Sequence, residues 1–154
     1  MKKIEEEIQQ TKFGTSHEKA IINIIFTANY IQDKFKSEFK KFDITLPQYN
    51  VLRILKGKKG EHATCGLIKN VMLDKNPDVT RLCDKLYEKQ YIHRNLNPDN
   101  RREVLLSISN NGLKLIDEIS PLFESIYQHL FEISENDMLQ LSDHLDLVRD
   151  KIKQ

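Results

Sequence analysis

The residues best suited to chemistry gather in two short stretches. Asn76, Pro77, Asp78, Thr80 and Arg81 fall within six positions, with Lys75 just before them and Lys85 four residues after Arg81. Arg101 and Arg102 make a second, purely cationic pair, and Thr64 offers a hydroxyl at what reads as another helix start. Such side chains donate and accept hydrogen bonds and carry positive charge, so they can read base edges and neutralise phosphate. A guanidinium placed like that of Arg81 can make a bidentate contact to guanine, worth ~1–3 kcal/mol of discrimination. Two arginines on an exposed turn suit a narrow minor groove, where the negative potential is enhanced. Asp78 complicates the set, because a carboxylate facing phosphate is repelled. It can instead favour a helix dipole or accept from cytosine N4. Two plainer readings stay open: Arg81 paired with Asp78 or Asp84 on a helix surface, and Arg101-Arg102 as a solvated turn.

Other chemistries are not readable. No nucleophile–base pair and no phosphate-cradling loop occurs, so catalysis is not expected. The five histidines (His17, His62, His93, His129, His144) never fall at HxxxH or HExxH spacing, so neither a metal site nor a cofactor is expected. Cys65 and Cys83 form no CxxC pair and cannot build a disulfide framework. They read as two reduced thiols on helices, with a redox sensor as the lesser alternative. Phe26, Tyr30, Phe35 and Phe39 read as core rather than as a ligand cage.

The chain of 154 residues is 39% hydrophobic and 31% charged, enough for one packed domain with a dimerising extension. Its 24 basic and 23 acidic residues leave +1, which excludes coating nucleic acid through bulk charge. The charge is unevenly spread, however. Residues 1–52 carry 8 basic and 7 acidic groups, residues 53–102 carry 12 and 6, and residues 103–154 carry 4 and 10. A basic middle of +6 is thus cancelled by an acidic end of −6. The longest apolar stretch, Ile21 to Ile31, is broken by Asn23, Thr27 and Asn29 and falls short of the ~18 residues of a membrane span. Met1-Lys2-Lys3 is followed by Glu5-Glu6-Glu7 where a signal peptide would be apolar, so a cytoplasmic protein is expected.

The elements that must position these residues follow from periodicity. Ile24, Ala28, Ile31, Phe35, Phe39 and Phe42 recur at helical spacing and predict one long helix over about 17 to 42. Thr45-Leu46-Pro47-Gln48 is a capping box that opens a helix carrying Val51, Leu52 and Leu55 and ending before Gly57 and Gly60. Thr64 opens a short helix, and Asn76-Pro77 is read as the cap and first turn of another, with Val79, Leu82, Cys83 and Leu86 facing inward. The period then changes. Tyr91 to Leu96 and Val104 to Ile108 read as strands flanking a turn-rich segment tipped by Arg101 and Arg102. Ser109 caps a long helix that Pro121 is expected to kink or break. Ser134 with Asp137 starts the last helix, striped by Met138, Leu141, Leu145, Val148 and Ile152. The terminal stripes exceed what a small lobe can bury, which points to a second copy.

The fold class is therefore mainly α with a small β-hairpin. Residues 1–44 form an N-terminal dimerisation helix, 45–108 a winged helix-turn-helix lobe, and 109–154 C-terminal dimerisation helices. The helix near 76–89 is the recognition helix and the hairpin is the wing. A winged-helix module that meets an acidic protein partner is the alternative.

The motifs in this order resemble the MarR family of bacterial transcription regulators across roughly residues 20 to 150. The matching residues are Thr45-Leu46-Pro47-Gln48 with Val51-Leu52, then Pro77-Asp78-Val79-Thr80-Arg81-Leu82 with Asp84-Lys85-Leu86. Pro98-Asp99-Asn100-Arg101-Arg102 before Val104 to Ile108 follows, and then Ser109 with Gly112. The resemblance implies an obligate homodimer with interlocked terminal helices that binds a palindromic duplex operator as repressor or activator. It implies Pro77, Asp78, Thr80 and Arg81 in the major groove, Arg101 in the minor groove, and release or retention by a small phenolic or amphipathic effector or an oxidant. Three positions depart from the family pattern. Asn100 replaces the acid before the two wing arginines, leaving Asp99 as the substitute that could stiffen the wing. Gln90 replaces the glycine that ends the recognition helix. No cysteine precedes Cys65, so the peroxide-sensing branch is not matched.

Overall fold

The computed structural model of the chain describes residues 2–98, 100 and 102–153. Met1, Asp99, Arg101 and Gln154 lie outside the described residues. The expected placement of Arg101 and Asp99 at the wing tip therefore falls outside them too.

A short helix α1 (Ile4–Glu7) precedes the long α2 (Ser16–Phe39), which tightens into a 3₁₀ turn at Lys40–Phe42. The expected helix to residue 42 is thus met by an α-helix with a tighter last turn, which is how helix ends satisfy orphan carbonyls. Thr45 caps α3 (Leu46–Gly57) with the reciprocal box: its hydroxyl accepts from the Gln48 N–H while Gln48 Oε1 accepts from the Thr45 N–H at 2.9 Å. Thr64 caps α4 (Cys65–Val71), and α5 (Val79–Glu88) follows. β1 (Ile92–Leu96) and β2 (Val104–Ile108) pair antiparallel with Ile92 opposite Ile108 and Leu96 opposite Val104. Ala63 adds an isolated bridge to Leu106 through two backbone hydrogen bonds, which fastens the α3–α4 connection to the wing.

Helix α6 (Asn110–Gln128) runs through Pro121 without interruption. The expected break does not occur. Proline removes one N–H and leaves the carbonyl four residues back without its helical partner, yet packing on both sides of Pro121 holds the helix. Ile116 and Ile119 before it are buried, and Phe123 after it stacks on Tyr49. A 3₁₀ turn (His129–Glu132) then leads to α7 (Glu135–Ile152), capped by Ser134.

One core runs from Phe35 to Ile119 and includes Val51, Leu52, Leu55, Ile68, Cys83, Leu86, Ile92 and Leu106. At its edge Phe35 and Phe39 of α2, Tyr49 of α3, and Phe123 and Tyr127 of α6 form an aromatic junction with ring centroids 5.0 to 6.1 Å apart. Such pairs are worth about 0.5–1.5 kcal/mol beyond their area and join the long helix to the lobe. Beyond that junction the terminal stripes are uncovered, as expected of apolar surface too large for the lobe: Ala28 and Ile31 are exposed and no residue of α7 is buried, and Tyr30, read as core, is exposed as well. Among the described residues no helix is long and apolar enough to cross a membrane.

Candidate nucleic-acid interface

The helix start at 76–79 differs from the one read in the sequence. Asp78, not Asn76, is the N-cap of α5, and its carboxylate accepts the Arg81 N–H at 3.0 Å. Asn76 lies in a preceding turn whose own N–H is taken by Asp74 Oδ1 at 3.0 Å. The physical reason is local competition: aspartate is at least as good a cap as asparagine, and Asp74 occupies the Asn76 N–H. This resolves the question raised by Asp78, because its charge is spent on the helix N-terminus and not turned outward against an anion.

The exposed side of α5 then carries Thr80, Arg81 and Lys85, with Lys75 and Asn76 exposed just before it and Pro77 half-buried. A shallow groove of about 340 Å³ brings Pro47 of α3 together with Asn76, Asp78, Arg81 and Lys85. Thr64, Lys75 and Thr80 lie outside that groove. Thr64 turns its hydroxyl to its own helix, accepting the Leu67 N–H at 3.3 Å. Among the described residues the Arg81 guanidinium has no ion pair, so neither surface-pairing alternative occurs: Asp78 is a cap and Asp84 pairs elsewhere. In the wing, the Arg102 N–H donates to Asn100 Oδ1 at 3.2 Å and its side chain is exposed. Asn100 therefore shapes the turn as an acceptor where the family pattern has an acid.

Three positioning contacts escaped the sequence reading. Arg94 of β1 pairs with Asp84 of α5 at 2.5 Å and lies over the Tyr87 ring at 5.1 Å from its centroid. This cation–π and ionic clamp fixes the wing against the recognition helix. The signal was present, because Arg94 shares strand parity with buried Ile92 and so faces inward. Lys89 at the end of α5 reaches the side chain and carbonyl of Asp43, and Lys56 pairs with Asp117 at 2.8 Å. These two exposed pairs join the lobe to the turn that follows α2 and to the middle of α6.

Gln90 takes the left-handed conformation that its place after α5 demands, at φ 60. The Gln90 N–H reaches the Tyr87 carbonyl at 2.9 Å and the Tyr91 N–H reaches the Leu86 carbonyl at 2.9 Å, a Schellman ending made without glycine. Gly112 is required for the opposite reason. A Cβ there would stand 2.3 Å from the Tyr91 carbonyl oxygen, so only glycine lets the first turn of α6 dock on this corner. Ser109 completes the joint by donating to the Gln90 carbonyl at 2.7 Å and accepting the Gly112 N–H at 3.1 Å.

Three helices, an antiparallel hairpin and a clamped recognition helix define a winged helix-turn-helix protein. The sequence model described as "Transcriptional regulator SarA/Rot" matches residues 33–119. The chain belongs to the SarA/Rot family of transcriptional regulators, and its fold is the MarR-type winged helix. A Bacillus subtilis protein described as an uncharacterized HTH-type transcriptional regulator, YhbI, is 33% identical over 101 residues, covering 64% of this chain and 63% of that one. The match thus spans just under two thirds of that relative. A MarR/EmrR family transcriptional regulator from Acinetobacter sp. ADP1 is similar at 27% identity with a TM-score of 0.71, over 88% of this chain and 95% of that one. The fold is also that of S. aureus MepR solved in complex with DNA, with a TM-score of 0.77 at 21% identity over 86% of this chain and 97% of that one.

Proposed function

We propose that the chain binds duplex DNA as a homodimer through residues 45–108, with residues 1–44 and 109–154 forming the dimer. The observation that carries this reading is an Arg81 guanidinium with no ion pair among the described residues, on the exposed side of α5 beside Thr80 and Lys85, in the part of the chain that holds +6. Arg81, Thr80, Asn76 and Pro77 enter the major groove, with Arg81 reading a base edge. Thr64, Lys75 and Lys85 lie along the phosphates, while Arg101 and Arg102 reach the minor groove. Asp78 acts indirectly by capping the helix that presents Arg81. The acidic terminal helices stay clear of phosphate, so the field guides the lobe and not the dimer body to DNA.

Two lobes related by a two-fold axis read a palindromic operator, and no catalytic step is involved. Control is a population shift: a small amphipathic or phenolic effector changes DNA affinity only as far as it prefers one spacing of the two recognition helices. The aromatic junction, the Lys89–Asp43 contact and the Lys56–Asp117 pair are the links through which that spacing is transmitted. A protein of this kind acts in the cytoplasm, where its operator is.

Salt-dependent binding of Arg81→Ala and Lys85→Ala to specific and random duplexes tests the assignment. Affinity of the wild type falls steeply with salt as counterions are released. Arg81→Ala costs about 1–3 kcal/mol on the specific duplex and far less on the random one. Lys85→Ala weakens both alike. Equal losses on both duplexes for Arg81→Ala would reject its role in reading bases.

A further inference from the structure

We propose that Leu96 and Val104 of the wing form an apolar foot that packs on the deoxyribose edges of the DNA strand lying between the recognition helix and the wing tip. The proposal rests on the DNA-binding reading above and adds to it a contact that carries no charge. The two residues face each other across the hairpin, in register with Arg94 opposite Leu106 and Ile92 opposite Ile108. Directly paired residues share one face of a hairpin, so all of these side chains lie on the same side of the wing. It is the side turned to α5, because Arg94 crosses it to Asp84 and to the Tyr87 ring. At the base of that face Ile92 and Leu106 are buried, whereas Leu96 is 74% exposed and Val104 38% exposed. The apolar face of the hairpin thus runs on past the end of the core.

The charges around this surface say what covers it. The Asn97 N–H donates to the Glu103 carbonyl at 3.2 Å, which extends the ladder by one pair beyond Leu96 and Val104. The Glu103 side chain lies on the opposite face, where its carboxylate accepts from Asn97 Nδ2 at 3.3 Å. The α5 side of the wing end is left apolar, and the exposed Arg102 follows two residues before Val104, about 7 Å along the strand. On the other flank α5 presents Arg81 and Lys85. A second copy of the lobe would bring the same cations against these and be repelled. A duplex held by α5 in its major groove and by Arg102 in its minor groove passes one backbone strand between the two. Deoxyribose is the apolar part of that strand. Leu96 stands short of the wing tip, so it meets sugars at the mouth of the groove and does not wedge between base pairs.

Such a contact differs in kind from the cations beside it. Sugars are the same in every sequence, so it raises affinity without choosing among operators. It displaces water and no counterion, so it leaves the salt dependence of binding unchanged. It also limits how deeply the wing enters the minor groove, which makes Leu96 a positioning residue for Arg102.

The test measures the affinity of the full chain for several random-sequence duplexes across a range of salt concentrations, with urea unfolding alongside. Leu96→Thr removes apolar bulk but keeps a β-branched side chain suited to a strand. It should weaken binding to every duplex about tenfold, at an unchanged salt slope and an unchanged urea midpoint. Val104→Thr keeps the shape of the side chain and should weaken binding about threefold in the same manner. Should Leu96→Thr lower the urea midpoint, Val104→Thr decides. Arg102→Ala, by contrast, should lower the salt slope by about 1 for each lobe. A wild type without duplex affinity would overturn the DNA-binding reading and this contact together. With the wild type bound, three results would overturn the contact alone: both threonine variants binding as the wild type does, a loss that lowers the salt slope as Arg102→Ala does, or a loss confined to one duplex sequence.

Discussion

Val51, Leu52, Leu55, Ile68, Cys83 and Leu86 of the winged lobe are at most 1% exposed, whereas in α7 Leu139 is 60% exposed, Leu141 50% and Leu147 56%. The same contrast separates the two ends of α2, where Phe35 and Phe39 are buried but Ile25 is 56% exposed. It is matched by charge, +6 in the middle of the chain and −6 at its end. The lobe closes its core with Phe35 and Phe39 of α2 and Leu115, Ile116 and Ile119 of α6, and keeps its cations outside. The terminal helices instead leave apolar side chains in solvent that only another surface can cover. The buried core and the uncovered faces of α2 and α7 thus lie in different parts of one chain, and each can be broken separately.

The largest effect is expected where assembly is attacked. Leu141→Asp should convert the dimer to a monomer by sedimentation and lower duplex affinity by about a hundredfold, since the second half-site contact is lost. A charge there that leaves the dimer intact would show that α7 is not the interface. Next comes the core of the lobe. Leu86→Ala should cost about 2–5 kcal/mol in urea unfolding. Its loss should be independent of protein concentration, whereas the loss caused by Leu141→Ala should grow on dilution.

A third effect appears at high pH. Burial raises the Cys83 thiol from its ordinary 9.0 to about 12, and it also raises Tyr49. Groups raised in the folded state support stability below their unfolded value and withdraw it as pH rises through the folded one. From pH 9.0 toward 12, Cys83 alone should steepen the loss by up to about 1.4 kcal/mol per pH unit. Urea midpoints measured across that range should fall less steeply for Cys83→Ala than for the wild type. The smallest effect is at the corner after α5. Gln90→Gly should stabilise by about 1 kcal/mol, because the left-handed conformation no longer strains a side chain.

Much of this was legible before any coordinates. The caps at Thr45, Thr64, Ser109 and Ser134 were readable because a capping side chain and its target lie three residues apart, within reach of local reasoning. The strand alternation is likewise local, whereas the left-handed conformation of Gln90 was one of two outcomes that the comparison with the family's glycine left open. What failed depends on context. Asn76 and Asp78 both suit a cap, and only the competing turn at Asp74 decides between them. Pro121 breaks isolated helices but not one held on both sides. The Arg94 clamp joins elements distant in sequence: strand parity with Ile92 turns Arg94 inward, but composition and period do not name Asp84 as its partner. The stripes of α2 and α7 are left uncovered as their excess over the small lobe suggested, but Tyr30, read as core, is exposed, because periodicity reports an apolar face and not what covers it.

The central claim is a two-fold symmetric reader of duplex DNA built on the basic lobe. Repeated selection of bound sequences from a random duplex pool addresses it most directly. The account predicts enrichment of an inverted repeat whose half-site spacing matches two recognition helices about one helical turn apart, roughly 34 Å. Recovery of unenriched sequence, or of a single half-site without symmetry, would contradict it.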